Sequence, residues 1–133
     1  MSTATDFFSN VARKDYLDIY DQGEPRYEKV AKFLDFGNRD IAQAAGIPVS
    51  KVRLDAKIPG EVAERFREWG VVLNLVAQFF EGDAEKTALW FTMPNPLLGN
   101  VAPRDMLRVG RFRRLYQFIL DALAENAPPD PLP

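Results

Sequence analysis

Five arginines near the C-terminus are the side chains of this sequence best suited to binding chemistry. They fall within residues 104–114, where Asp105 is the single acidic residue. Guanidinium groups bind carboxylates and phosphates through paired hydrogen bonds. The cluster therefore predicts an anchor for an acidic partner surface, although any one arginine could equally be a solubilising charge. Its members are Arg104, Arg108, Arg111, Arg113 and Arg114.

Side chains suited to catalysis are scarce. The 133-residue chain has no cysteine and no histidine, which excludes disulfides, thiol nucleophiles, Ser-His triads and the usual zinc sites. Glu61, Glu64 and Glu68 come at helical spacing with arginines among them, and we interpret them as a solvated charged face. The sequence predicts a binding module rather than an enzyme, without a cofactor or a metal.

A second basic region covers residues 26–59, with seven basic and four acidic side chains. Residues 41–54 have the rhythm of a helix-turn-helix: apolar and small residues, a glycine for the turn, then Ile47 and Val52 to fill the angle between two helices. We expect the second helix to cover residues 49–56.

The side chains of this unit that could contact DNA are basic or polar. Asparagine and glutamine, the usual adenine readers, are missing from the second helix, and the net charge of −2 gives the chain no overall attraction for nucleic acid. The alternative is that the unit packs or dimerises without reading DNA. The predicted DNA-binding residues are Arg39, Ser50, Lys51, Arg53 and Lys57.

The chain ends in residues 127–133, of which four are proline. Such a segment favours an extended polyproline conformation that has little entropy to lose on docking. We expect it to insert into a groove of a partner, with an ordinary frayed terminus as the alternative. Its predicted binding residues are Pro128, Asp130, Leu132 and Pro133.

Hydrophobic periodicity predicts an all-α chain that positions these side chains. Residues 1–25 have poor periodicity, and we expect an arm with one helical turn around residues 16–20, laid on the rest of the chain or on a partner, or else frayed. The predicted helices cover residues 26–36, 39–45, 61–80, 103–109 and 111–126, with a further helix between Asp83 and Phe91.

Residues 90–99 join these helices in the middle of the C-terminal half. Pro94 and Pro96 remove backbone donors and prevent a long helix. Four large apolar residues in the same run would leave too much apolar surface in water for a flexible linker. The sequence therefore predicts a rigid, buried corner in which a buried Trp90 dominates local stability.

The pattern W-(aromatic)-x-x-P-N-P-x-L-G, followed by a proline-led helix ending in leucine and then by a glycine, resembles the toxin-binding domain of the Xre/MbcA/ParS antitoxins. The resemblance covers residues 60–126 well and the helix-turn-helix-like part more loosely. Ala102 departs from it, since relatives tend to carry Ser or Thr there as a helix cap. The matching residues are Trp90, Pro94, Asn95, Pro96, Leu98, Gly99, Pro103, Leu107 and Gly110.

The resemblance implies the antitoxin of a type II toxin–antitoxin system of the RES–Xre kind. In that family the toxin carries a RES domain that consumes NAD, and the C-terminal part of the antitoxin covers its active site. The N-terminal unit binds the operon's own promoter in some members. A homodimer or a larger assembly with the toxin is expected. The predicted toxin-binding residues are Arg108, Arg111, Arg113 and Arg114, together with the four tail residues named above.

We therefore expect four parts: an arm (1–25), a helix-turn-helix-like part (26–59), a toxin-binding domain (60–126) and a Pro-rich tail (127–133). No apolar run approaches ~18 residues and the N-terminus has no signal pattern, so we expect a cytoplasmic protein without a membrane partner. The alternative function is a stand-alone helix-turn-helix regulator whose C-terminal domain only dimerises. Such a regulator would bind its promoter tightly and with strong salt dependence on its own.

Overall fold

The computed structural model describes residues 14–125, which form six α-helices, two short 3-10 turns and one small hairpin, and the predicted all-α class is confirmed. The 3-10 turns are Val49–Lys51 and Pro96–Leu98. The predicted helix bounds differ from the observed ones by one or two residues, except at residues 49–56. The elements are β1 (Tyr20–Asp21), β2 (Glu24–Pro25), α1 (Tyr27–Leu34), α2 (Asn38–Ala45), α3 (Gly60–Phe79), α4 (Ala84–Thr92), α5 (Pro103–Arg108) and α6 (Phe112–Glu125).

Helix α3 is the central element of the fold. Eleven of its twenty residues are buried, as expected of a helix with apolar side chains on most of its circumference. Helices α1, α2, α4 and α6 and strand β2 all pack on it. The helix-turn-helix-like residues and the residues after them therefore share one hydrophobic core. None of the described helices is both long and apolar enough to cross a bilayer.

Aromatic rings fill the centre of this core. The ring of Trp69 meets that of Phe66 at 4.8 Å and that of Phe36 at 5.1 Å, edge to face in both cases. Trp90 is only half-buried, so the prediction that a buried Trp90 dominates the corner is wrong. The inner stripe of α4 consists of Thr87 and Phe91, four residues apart, and Trp90 lies beside that stripe rather than on it.

The helical turn predicted around residues 16–20 is not formed. The carboxylate of Asp15 accepts hydrogen bonds from the backbone N–H groups of Ile19 and Tyr20, both at 2.9 Å, and so closes a turn. Asp18 has φ 56°, in the left-handed region, which a right-handed helix does not allow. The chain then continues into the β1–β2 hairpin, in which Tyr20 pairs with Pro25.

Residues 14–25 lie against α3 and contribute two side chains to the core. Leu17 and Ile19 are buried. The side chain of Asn74, itself buried on α3, accepts a hydrogen bond from the backbone of Tyr16 at 3.0 Å and donates one to the carbonyl of Lys14 at 2.8 Å. A buried amide with both kinds of partner satisfied fixes this segment in place.

The second helix predicted for residues 49–56 is not formed either. Only the turn Val49–Lys51 is helical, and the chain leaves it at Val52 with φ −74° and ψ 124°. The carboxylate of Asp55 accepts from the backbone N–H of Lys57 at 3.0 Å and from the guanidinium of Arg53 at 2.8 and 2.6 Å. These local bonds compete with the helical pattern, and Pro59 ends the segment.

Gly70 marks the place where the hairpin crosses α3. A Cβ atom at this position would lie 2.6 Å from the Oη atom of Tyr20, which is closer than real Cβ contacts. That hydroxyl is buried without a hydrogen-bond partner among the described residues. Burial raises the pKa of Tyr20, and the nearby charge of Asp15 adds to the effect. The glycine thus allows a bulky, neutral side chain to rest on the helix.

Gly70→Ala should lower the free energy of unfolding by about 1–3 kcal/mol, because the steric clash outweighs the better helix propensity of alanine. Adding Tyr20→Phe should recover much of the loss, since it removes the oxygen that clashes. Urea unfolding of the two variants measures both effects. Gly60→Ala is the control, because a Cβ at Gly60 has no atom within 4 Å among the described residues. Equal stability of Gly70→Ala and wild type would show that the crossing is looser than described.

Candidate functional site

Asn95 organises the corner between α4 and α5. Its side-chain oxygen accepts a hydrogen bond from the backbone N–H of Leu97 at 2.9 Å. Its backbone N–H donates to the carbonyl of Val101 at 3.1 Å, and its own carbonyl accepts from Leu98 and Asn100, both at 2.9 Å. One asparagine between two prolines therefore closes the whole loop with local hydrogen bonds.

The other residues of the sequence motif complete the corner and α5. Gly99 and Gly110 have φ 74° and 83°, in the left-handed region that glycine adopts without strain. Pro103 occupies the first position of α5, where its missing N–H costs nothing, and it is buried together with Leu107. The motif is thus explained by backbone geometry and packing.

Of residues 90–99 only Phe91 is buried, so the prediction that the whole corner is buried is wrong. Leu97 is 80% exposed and Met93 is 52% exposed, while Leu98 packs partly on the core. Because its hydrogen bonds are made within the loop, the corner keeps its shape without burying Met93 and Leu97. Those side chains are therefore presented to solvent on a defined backbone.

Six of the seven large apolar residues that are exposed in the described part of the chain lie between residues 79 and 109. The seventh is Val49, in the 3-10 turn after α2. Soluble proteins seldom expose contiguous apolar patches unless those patches bind something. We call these six residues the apolar face: Phe79, Leu89, Met93, Leu97, Val101 and Val109.

Three adjoining grooves make this face continuous. The first, of about 520 Å³, runs between the corner, α5 and the start of α6. The second, of about 170 Å³, shares Leu97 and Phe118 with the first and lies between the corner and the end of α6. The third, of about 430 Å³, shares Trp90 and Asn95 with the second and reaches Met93. Leu97 is therefore the ridge between the first and second grooves.

The five arginines do not act as one cluster. The guanidinium of Arg104 donates to the carbonyls of Leu34 and Asp35 at 2.7 and 2.8 Å and lies over the ring of Phe36. It therefore satisfies the C-terminal end of α1 and holds α5 against it. This arginine is part of the fold and is not free to bind a partner.

Arg108 is also engaged within the chain. Its guanidinium lies 2.6 Å from the carboxylate of Asp105 and 3.8 Å from that of Asp40 on α2. Asp105 is thus not the only acid near the cluster, because folding brings Asp40 to the same place. A partner of the chain would have to compete with both carboxylates for Arg108.

The three remaining arginines are exposed and lie at the start of α6, on two different sides. Arg111 and Arg114 line the first groove, and neither has a salt bridge among the described residues. Arg113 lies on the other side, near Glu68 of α3. Burial holds the pKa of Glu68 above its usual value, although the charges of Arg65 and Arg113 act in the opposite direction.

The predicted DNA-binding residues are not brought together on one helix. Ser50 and Lys51 lie in the 3-10 turn, and Arg53 and Lys57 in the loop after it, where Arg53 is paired with Asp55. Arg39 lies on α2. All five are exposed, but no helix presents them to a groove of DNA.

The predicted tail residues Pro128, Asp130, Leu132 and Pro133 lie outside the described residues. Within residues 14–125, no three acidic side chains come together in a way that could hold a metal ion. The apolar face itself was missed at the level of sequence. A signal for it exists in α4, where Leu89, Trp90 and Phe91 are apolar on successive sides of a helix that buries only one of them.

Comparison with known proteins points to the same part of the chain. Residues 75–124 match the family described as the antitoxin Xre/MbcA/ParS C-terminal toxin-binding domain. A curated protein of Photorhabdus laumondii subsp. laumondii named Antitoxin Xre is 29% identical over 84 residues, which cover 60% of this chain and 57% of that protein. The chain thus matches less than two thirds of that relative's length. No solved structure matches it. The whole apolar face lies within the matched residues.

Proposed function

We propose that the chain is an antitoxin of the Xre/MbcA/ParS family that binds a cognate protein toxin and neutralises it. The match of residues 75–124 to the toxin-binding domain of that family, the likeness to an Xre relative and the sequence motif support this proposal. The observation that carries the proposal is the position of the apolar face. Six exposed apolar side chains gather within the part of the chain that matches a toxin-binding domain.

The face has the composition that a protein interface requires. Stable interfaces bury about 800 Å² on each partner and have an apolar centre with a polar rim, in which arginine is enriched. Leu97 would stand at the centre, between two grooves, and Arg111 and Arg114 would form part of the rim. The corner holds its shape through its own hydrogen bonds, so little ordering cost is added on binding.

The likeness of residues 90–110 to the family motif supports a finer proposal. The toxin carries a RES domain and consumes NAD, and the antitoxin covers the toxin's active site with its C-terminal part, including Pro128, Asp130, Leu132 and Pro133. The chain itself acts by binding, without a cofactor or a reaction of its own. Promoter binding is a lesser part of this proposal, because the reading helix on which it depends is not formed.

The test is co-expression of this chain with the product of a neighbouring reading frame that encodes a RES domain. Expression of the toxin alone should stop growth and deplete cellular NAD, and co-expression of this chain should restore both. The two proteins should elute together in size-exclusion chromatography, where light scattering gives the stoichiometry. A toxin that stops growth without lowering NAD would refute the RES assignment alone. Absence of a complex and of rescue would refute the antitoxin function.

A further inference from the structure

The first groove combines apolar walls with two guanidiniums that have no salt bridge within residues 14–125. Building on the proposed function, we propose that the toxin docks here with a segment that places a carboxylate side chain between Arg111 and Arg114 and an apolar side chain beside Leu97. The partner group is thus an acidic residue of a protein flanked by an apolar one.

Two positive charges that line the groove have no salt bridge within residues 14–125. Asp105 also lines it, but the guanidinium of Arg108 holds that carboxylate at 2.6 Å. The charges left for a partner are therefore those of Arg111 and Arg114. Arg111 lies just before α6 and Arg114 in its first turn, and both line this groove, where two guanidiniums can share one carboxylate.

The two arginines also lie at the N-terminal end of α6. The first turn of α6 contains no acidic residue, although the positive end of the helix dipole favours acids there and disfavours cations. Arginines at this end do not stabilise the isolated helix. An incoming carboxylate would be attracted both by the guanidiniums and by the helix end.

The apolar walls of the first groove favour a protein over a nucleic acid as the partner. Leu97, Val101 and Val109 line the same groove and are all exposed. A nucleic acid backbone would pair with the arginines but would leave these apolar side chains uncovered. A protein segment with an acidic and an apolar side chain next to each other satisfies both parts of the groove.

The experiment measures the affinity of the full-length chain for the co-purified toxin, whose complex with wild type must first be shown. Arg111→Glu/Arg114→Glu should raise Kd at least about 30-fold, since a charged interface pair is replaced by repulsion. Arg111→Lys/Arg114→Lys should lie in between, because lysine keeps the charge but loses the paired hydrogen bonds. The matched control is Lys14→Glu/Lys32→Glu, two exposed basic residues outside the groove, with Kd unchanged.

A charge exchange identifies the partner group. Acidic residues on the toxin surface are replaced by arginine one at a time, and one replacement should restore binding to the Arg111→Glu/Arg114→Glu variant. Wild-type affinity of that variant would overturn the proposal. A loss that no exchange restores would also overturn it, because the partner group would then not be a carboxylate. Binding of a promoter duplex that is lost in the same variant, with toxin affinity kept, would assign the groove to phosphates. Failure of wild type to bind the toxin would instead refute the proposed function.

Discussion

Leu97→Lys is expected to abolish toxin binding while leaving the fold intact. The side chain is 80% exposed, so the free energy of unfolding should change by no more than about 0.5 kcal/mol. The same position lies between two grooves, the first of which is also lined by Arg111 and Arg114. A lysine there would lose the apolar contact and add a third cation, and we expect Kd to rise about 100-fold or more.

Val49→Lys is the matched control for this experiment. Val49 is also an exposed apolar residue, with 46% of its surface accessible, but it lies outside both the apolar face and residues 75–124. Thermal melting of both variants checks the fold, and titration calorimetry with the toxin gives Kd. If Leu97→Lys binds as wild type does, the corner is not at the interface. If Val49→Lys weakens binding equally, the interface lies nearer the 3-10 turn Val49–Lys51.

Trp69→Ala is expected to cause the largest loss of stability, about 3–5 kcal/mol, because it removes a fully buried ring that two other aromatic rings enclose. Such a loss is a large fraction of the stability of a domain of this size. Trp90→Ala should cost clearly less, since Trp90 is half-buried at the edge of α4. Urea unfolding of the two variants compares the tryptophans directly.

The two tryptophans should also separate in function. Trp90 lines the second and third grooves, so Trp90→Ala should weaken toxin binding at temperatures where the variant is folded. Tryptophan fluorescence supports the assignment: the Trp69 signal should be blue-shifted in the free chain, and the Trp90 signal should change when the toxin binds. A Trp90→Ala variant that is as unstable as Trp69→Ala would show that the corner, and not α3, is the centre of the core.

Long apolar periodicity made most of the fold predictable. The stripe of α3, with Phe66, Trp69 and Leu73 at helical spacing, identifies a long helix that must be buried against neighbouring elements. The second helix of the helix-turn-helix could not be excluded in this way. Its apolar residues have helical spacing. The hydrogen bonds of Asp55 with Arg53 and Lys57 nevertheless favour a turn, and hydrophobic periodicity gives no information about such polar side-chain bonds.

The arginines of the site could be predicted from the sequence, but the apolar face could not. Arg111 and Arg114 stand out in the sequence, but only the fold shows that Arg104 and Arg108 are engaged within the chain. The apolar face depends on which side of α4 meets the core. Phe91 turns inwards and Leu89 outwards, and composition alone does not distinguish them.

Backbone hydrogen exchange of the chain, alone and with its toxin, shows whether the toxin docks on the apolar face. Five amides of residues 93–101 are hydrogen-bonded only within this surface loop, so they exchange by local opening of the loop and would report docking as slowed exchange. We expect protection of residues 93–101 and of the start of α6 in the complex, with residues 49–57 unchanged. Protection of residues 49–57 with no change at residues 93–101 would contradict it and would place the toxin on the other part of the molecule.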